Sequence, residues 1–529
     1  MSMRFLVLLL VSAVSSYEFS SFRMQHYNLR QHEYGCRGAP LGAEARSADD
    51  PVLSRRFVLM KVSDFTVKNL LEAQRQKAAA ILVLLPQNMT SVNLEERQSF
   101  METEALVLQK ETHFPLYVCP EDDQLLFMYN ELQLTAASRA SSIFIRVLRS
   151  MVTSTSFQIL VNNNNNNNNN SPIKASDTTV TTLEGVLLGA GDDPQTIVIT
   201  AHYDSFGLTP WLSFGADSNA SGVTLLLELM RLFSKLYSSH RTRPKFNLLF
   251  ALTGAGKYNF LGTKRWIEEN LDHSESSLLQ DNVAFVLCLD TLGSGDELFV
   301  HVSRRPRPET PIGAFTQVLD EVLSSRFSWL KVALVHKKIN LMESSVSWEH
   351  ECFILRRIPA LTLSRLEHKS ERGTVLDTRS AVDDQRLRRN GVVIAEALGR
   401  FMFNLSHQGS AEDLPLFRGQ LDLQDSRLSS LLTALASVPR ATQLLDQDPN
   451  QVLVLDFLEL EFRQKLQKVQ KHRFKIDKRD PEVTFFDQMK QRLVMYRVKP
   501  AAFDLFVGGS IAVYLGLVYS AVQVRNTTT

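Results

Sequence analysis

Between Thr196 and Phe233 a strand-like run, a loop carrying histidine and aspartates, and an apolar helical run follow one another, and this succession constrains the chain most. Thr196-Ile197-Val198-Ile199-Thr200 has the length and β-branched composition of a strand, and the turn-forming Gly191-Asp192-Asp193-Pro194 precedes it. His202 and Asp204 therefore stand where a buried strand ends. Asp217 follows in a glycine-bounded loop, and Gly222 opens VTLLLELMRLF, whose apolar residues have helical spacing. Imidazole and carboxylate groups at a strand end and a first helical turn suit a divalent metal; the same groups could instead only cap and hydrogen-bond the loop.

Strands and helices alternate around this segment. TLEGVLLG, TIVIT, KFNLLFALT, VAFVLCLD, ELFVHV, KVALVHK and IPALTLS read as strands, and residues 223–237, 263–270, 310–324 and 386–405 as helices. The fold class is α/β, a mostly parallel or mixed sheet flanked by helices over residues 176–408. Ligands of such sheets bind outside the carboxyl ends of the strands, so His202, the segment after Thr253, and Asp290 are placed to converge.

At 529 residues the chain has room for two or more domains, and a net charge of +1 leaves no nucleic-acid footprint. Residues 1–16 carry Arg4 ahead of an apolar run and small residues, the pattern of a signal peptide. Residues 17–160 read as a small β/α domain: RRFVLMKV, an amphipathic helix, AAILVLLP, further helices, PLYVC and SIFIRVL. A low-complexity loop follows at 161–175, built on the asparagine run Asn162–Asn170. After the α/β domain, residues 409–502 read as a helical juxtamembrane stalk, 503–524 as one transmembrane helix and 525–529 as a short cytosolic tail. Signal peptide plus one late span predicts a type I membrane protein. Its usable glycosylation sequons would be Asn88, Asn219 and Asn404. Four cysteines are too few for a disulfide framework, and Cys288, inside an apolar strand, reads as a buried free thiol.

AHYDS, GADSNASG and LCLDTLG resemble the co-catalytic zinc aminopeptidase superfamily, and SFRMQHYNL, LGTKRW, LQDNVAFVLCLDT and DKRDPE place the resemblance in its nicastrin-like branch. It spans roughly residues 17–525. The resemblance implies that one metal would use His202, Asp217 and Asp290, with Asp217 bridging to a second. That second metal would also need a glutamate and a late histidine, and a neighbouring glutamate would act as the base on metal-bound water. The stretch that should carry the glutamates is TGAGKYNFLGT, with Ala255, Gly256 and Lys257 at the degenerate positions. The histidine expected near 376–383 is missing, and His368 lies upstream. The expectation is a pseudo-peptidase with vestigial ligands, no catalytic residue and no cofactor.

By the same resemblance the protein is a scaffold of the endoplasmic reticulum membrane, its body lumenal. Its implied partners are Nodal modulator and a small multi-span membrane protein. The implied roles are multi-pass membrane protein biogenesis at the translocon and antagonism of Nodal signalling. Gly508, Gly509 and Gly516 would let the span pack closely against a partner helix. Two alternatives stay open: a substrate receptor for a membrane protease, as nicastrin is, and a weakly active aminopeptidase using an unorthodox base, for which Glu228 is the candidate on the helix after Gly222.

Overall fold

The structure, a computed structural model, describes residues 16–36, 42–88, 92–139, 156–162, 179–272, 277–279, 282–327, 329–343, 345–368, 373–405, 415–445, 449–476, 481–486, 490–498 and 501–528. Most of the signal peptide, SIFIRVL and nearly all of the asparagine run lie outside them. The chain forms two units, neither continuous in sequence: residues 1–24, 35–172 and 488–529 make one, and 25–34 with 173–487 the other.

The first unit is a closed barrel. Around it run β1 (Ser16–Arg23), β18 (Lys490–Val498), β8 (Ser156–Asn162), β4 (Gly42–Ser47), β5 (Phe57–Lys61), β6 (Ala80–Leu85) and β7 (Leu116–Pro120), each bonded to the next. The parallel strands β5, β6 and β7 are joined by α1 (Val67–Arg75) and α2 (Leu94–Leu108), and α3 (Asp123–Arg139) follows. Strands and helices alternate through this part of the unit. Thr66 starts α1 by accepting the Asn69 N–H at 3.3 Å. FVLMK and AILVLL are apolar on both faces because β5 and β6 are buried on both.

The expected continuous division at residue 160 and the all-helical stalk at 409–502 are corrected here. QRLVMYRV is not helical: it is β18, paired antiparallel with β1 and β8, and it completes the barrel. Its alternating buried positions, Leu493 among them, have the period of a strand facing one core. Apolar and charged residues mixed through FFDQMKQRLVMYRV imitated an amphipathic helix, and the pairing partners lie hundreds of residues away. In the stalk, α9 (Asp425–Ala436) and α10 (Pro449–Lys465) are helices as expected, but Lys468–Lys475 is strand β16. The same unit holds α11 (Ala501–Thr528), which contains the expected span. Among the described residues no helix is long and apolar enough to cross a membrane. The part of α11 with described side chains, 508–523, is shorter than the about 20 residues a crossing takes.

The second unit is built on an eight-stranded mixed sheet, in order β14 (Lys331–His336), β13 (Glu297–Val302), β15 (Ala360–Ser364), β12 (Val283–Leu289), β10 (Thr196–His202), β11 (Asn247–Thr253), β9 (Thr179–Leu187) and β16. The central strands β15, β12, β10 and β11 run parallel. Alternate side chains enter two layers: Ile197, Ile199 and Ala201 pack with α4 (Ser221–Ser238), α6 (Pro311–Arg326), α8 (Asp384–Met402), α9 and α10, while Val198 packs on the other face with α5 (Leu261–Asp272) and α7 (Glu349–Leu355). Between the sheet and its neighbouring helices α4 is buried nearly all round. A small sheet of β2 (Tyr27–Leu29), β3 (His32–Tyr34) and β17 (Val483–Phe485) completes the unit. All four cysteines are buried free thiols, Cys288 included, and its thiol pKa is pushed well above the ordinary value by burial.

β16 is attached to β9 by more than its ladder. His472 contacts Glu184 at 2.8 Å and Glu269 at 2.9 Å, and Trp266 donates to Glu184 at 2.8 Å. The hydrogen bond to Glu184 raises the imidazole pKa above its ordinary 6.5 despite burial. A group raised in the fold contributes stability fully below its unfolded pKa and loses it as pH rises through the folded one. The thermal midpoint should therefore fall as pH climbs above about 6.5, and His472→Gln should flatten that slope in a pH series of melts.

Candidate functional site

The parallel strands deliver their last residues to one edge of the sheet. His202 ends β10, Asp290 follows β12, and Lys257 lies just beyond β11. Asp217 sits in one wide, π-type helical turn, Ala216–Ala220, that runs into α4. Sequence reading thus brings the right residues to the same edge. Their partners are not those of a metal site.

Both oxygens of the Asp217 carboxylate are engaged. Oδ1 accepts the Gly293 N–H at 2.7 Å, and Oδ2 accepts the Ser294 hydroxyl and the Arg365 Nε–H, the latter at 2.9 Å. Asp290 Oδ2 accepts the Ser364 hydroxyl at 2.9 Å, and its Oδ1 is 4.0 Å from His202 Nε2. His202 is buried, neither ring nitrogen has a hydrogen-bond partner among the described residues, and burial together with the Lys257 ammonium pulls its pKa down to about 4. The imidazole is neutral at physiological pH. Lys257 Nζ donates to the Ser218 carbonyl at 3.3 Å, so two cations, Lys257 and Arg365, stand beside Asp217, Asp290 and His202.

Does this donor set fit a pair of zinc ions? The free nitrogens of His202 suit a cation. The rest does not: Arg365 supplies Asp217 with the positive charge a bridging carboxylate would take from metals, and Lys257 adds repulsion. Among the described residues no group of three or more His, Cys, Asp or Glu side chains could hold a metal. The degenerate loop is also packed against returning an acid. Ala255 is buried with φ of 53°, and a Cβ on Gly256 would lie 2.4 Å from the His202 ring. Asp204 locks this loop, accepting the Gly256 N–H at 2.7 Å, the Lys257 N–H at 3.3 Å and the Thr442 hydroxyl at 2.9 Å. Near the position expected for the late histidine stands buried Asp377, which accepts the N–H groups of Asp217 and Ser218 at 2.9 and 2.8 Å.

The space left is small. His202, Lys257, Phe260, Asp290, Trp348 and Leu29 of β2 are among the residues around a cavity of about 50 Å³. A site for even a small organic ligand takes roughly 300 Å³ or more. Asn219 is 1% exposed, its amide donating to the Asp204 carbonyl and its Oδ1 accepting from Arg440 at 3.2 Å. The expectation of a glycan there is corrected: the nitrogen it would need is buried and engaged. Glu228, the candidate unorthodox base, is fully buried, bound by Arg231 at 2.6 Å and approached by Arg427 at 3.3 Å.

Three residues of the site escaped sequence reading. Arg365 directly follows the buried strand β15, a position where a cation is a signal in itself. Arg440 is wholly buried and donates to the carbonyls of Tyr203, Phe214 and Gly215 at 2.8 to 3.2 Å, holding the loop between β10 and α4; burial lowers its pKa to about 10. Glu349 accepts hydroxyls from Thr200, Thr253 and Thr263 at 3.2, 3.1 and 2.8 Å, and burial raises its pKa to about 7. That value suits a general base, but Glu349 is not among the residues lining the cavity.

If Arg365 is the counter-ion of Asp217, Arg365→Met should destabilise the fold by about 2 kcal/mol, less than a fully buried pair because the guanidinium is partly exposed. Adding Asp217→Asn should recover most of that loss in a double-mutant cycle of urea melts, whereas independent sites would add.

Residues 185–398 match the Peptidase family M28. The BOS complex subunit NCLN of Homo sapiens is 46% identical over 525 residues, covering 98% of this chain and 92% of that protein. Its counterpart in Canis lupus familiaris is 47% identical over the same shares, and Nicalin of Caenorhabditis elegans 29% identical, again over 98% and 92%. Among solved structures, the gamma-secretase component nicastrin matches with a TM-score of 0.61 over 91% of this chain and 99% of that one, at 12% identity, a likeness of fold. The match to the M28 family model together with full-length similarity at this level makes the chain a member of the nicalin, or BOS complex subunit NCLN, family.

Proposed function

We propose that this protein is a non-catalytic scaffold that uses a peptidase fold to hold other proteins at the endoplasmic reticulum membrane. One observation carries the reading: the carboxylate that would bridge two metals is neutralised by Arg365, at the edge of a loop that has Ala255, Gly256 and Lys257 in place of glutamates. Losing a general base alone costs on the order of 10²–10⁴ in rate, and losing the metal clamp removes more.

Relatives named as BOS complex subunits support a place in an assembly. The partners we propose are Nodal modulator and a small multi-span membrane protein, at the translocon that serves multi-pass membrane proteins, with antagonism of Nodal signalling as a further role. The topology proposed with it is a signal peptide over 1–16, a lumenal body, glycans at Asn88 and Asn404, and a membrane span over 503–524. Asn404 lies two residues past α8 with a φ of 48° and Asn88 stands beyond β6, both positions just outside elements.

Affinity purification of the full chain from membranes should return the same partner proteins in constant ratio, and the purified complex should show no aminopeptidase turnover above buffer. A zinc-dependent turnover abolished by His202→Ala would overturn the scaffold reading, and loss of that turnover in Glu349→Gln would name the base. A receptor for a membrane protease would instead crosslink to many transient peptides.

A further inference from the structure

The sheet of the second unit ends on β14, and the chain leaves that strand into a group of cations. β14 pairs with β13 on one side, and among the described residues no strand lies on its other side. Its side chains are exposed or half-buried throughout. Such an edge offers free N–H and C=O groups to an incoming strand. The ladder runs on to the Lys337 N–H, which donates to the Val302 carbonyl at 3.1 Å.

Lys337 and Lys338 then line a cavity of about 190 Å³ together with Lys264 of α5 and Arg30 of the turn between β2 and β3. None of the three lysine ammonium groups makes a hydrogen bond or close ion pair among the described residues. Arg30 has Glu482 at 3.8 Å. The carboxylates in the same wall are in use, Glu343 by the Asn340 amide and Glu351 by the Ser347 N–H.

We propose that β14 and the lysine-lined cavity beyond it form one docking surface for an acidic, extended segment of a partner protein. The segment adds as a strand along β14 and sets its carboxylates among Lys264, Lys337 and Lys338. This rests on the scaffold reading above and gives it a location.

Lysines at an exposed edge can serve only to repel other strands. Lys337 and Lys338 fit that role, but Lys264 does not. It lies on a helix away from the edge and is half-buried; burial disfavours its charge, Arg30 adds to that, and Glu482 and Glu268 oppose it without outweighing it. An unpaired ammonium kept in that position is relieved by an anion. Leu341 and Met342, 80% and 93% exposed in the same loop, add apolar contacts. Those contacts suit a peptide better than an inorganic phosphate.

A photo-crosslinking residue at Ala333 or Leu341, in the full chain expressed in its own membranes, tests this. The crosslinked peptide should come from one co-purifying protein and carry net negative charge. Lys337→Glu/Lys338→Glu should lower its yield about tenfold with an unchanged melt, and lysines placed in the captured segment should restore it. The surface is wrong if the yield stays within about twofold of wild type, or if the crosslink maps to a second copy of this chain. It is equally wrong if no crosslink forms while partners still co-purify, an outcome that leaves the scaffold reading standing. If the double variant instead abolishes flotation with phosphatidylcholine–phosphatidylserine vesicles and alters no protein crosslink, the cavity serves lipid and the proposal falls. Wild-type protein that co-purifies with nothing would sink the scaffold reading as well.

Discussion

A carboxylate taken out of water must keep a positive partner or lose its charge. Asp217, 4% exposed at the head of α4, meets that demand with Arg365 and a ring of donors from Gly293 and Ser294. Much of the edge is arranged around this choice. The loop after β12 is drawn in by its backbone donor, and the loop after β15 by its guanidinium. Asp377 closes the turn from the other side. At this sheet edge the charge of Asp217 is balanced from within the chain.

The same logic explains why the degenerate loop is rigid rather than merely empty of acids. Asp204 accepts two of its backbone donors, and Gly256 passes so close to His202 that a side chain has no room. Arg440 spans the loop between β10 and α4 from below, satisfying three carbonyls with one buried side chain. A cleft built this way is held shut by hydrogen bonds on each wall. That suits architecture better than turnover, since catalysis needs groups that change partners during a reaction.

Buried titratable groups elsewhere in the second unit follow the pattern. Glu228 lies among Arg231 and Arg427, Glu349 among three threonine hydroxyls, and Glu184 between Trp266 and His472. Each ties elements distant in sequence across one layer boundary. Lys264, half-buried with no such partner for its ammonium among the described residues, breaks the pattern, and that contrast is what marks its cavity as a place for a partner.

Local sequence was sufficient for whatever is decided locally. The β-branched run before His202, the apolar spacing after Gly222 and the acid-free TGAGKYNFLGT all announce themselves within a few residues, so the α/β layering and the absence of acids in that loop were legible. Apolar periodicity could not say which strands would pair, so QRLVMYRV passed for a helix until β1 was beside it. Nor could it place Arg365 against an aspartate 148 positions earlier, or bury Glu228 and Asn219. Strand pairing and charge compensation are contacts between residues far apart in the chain. Their energies depend on which groups the fold removes from water together, and only the tertiary structure decides that.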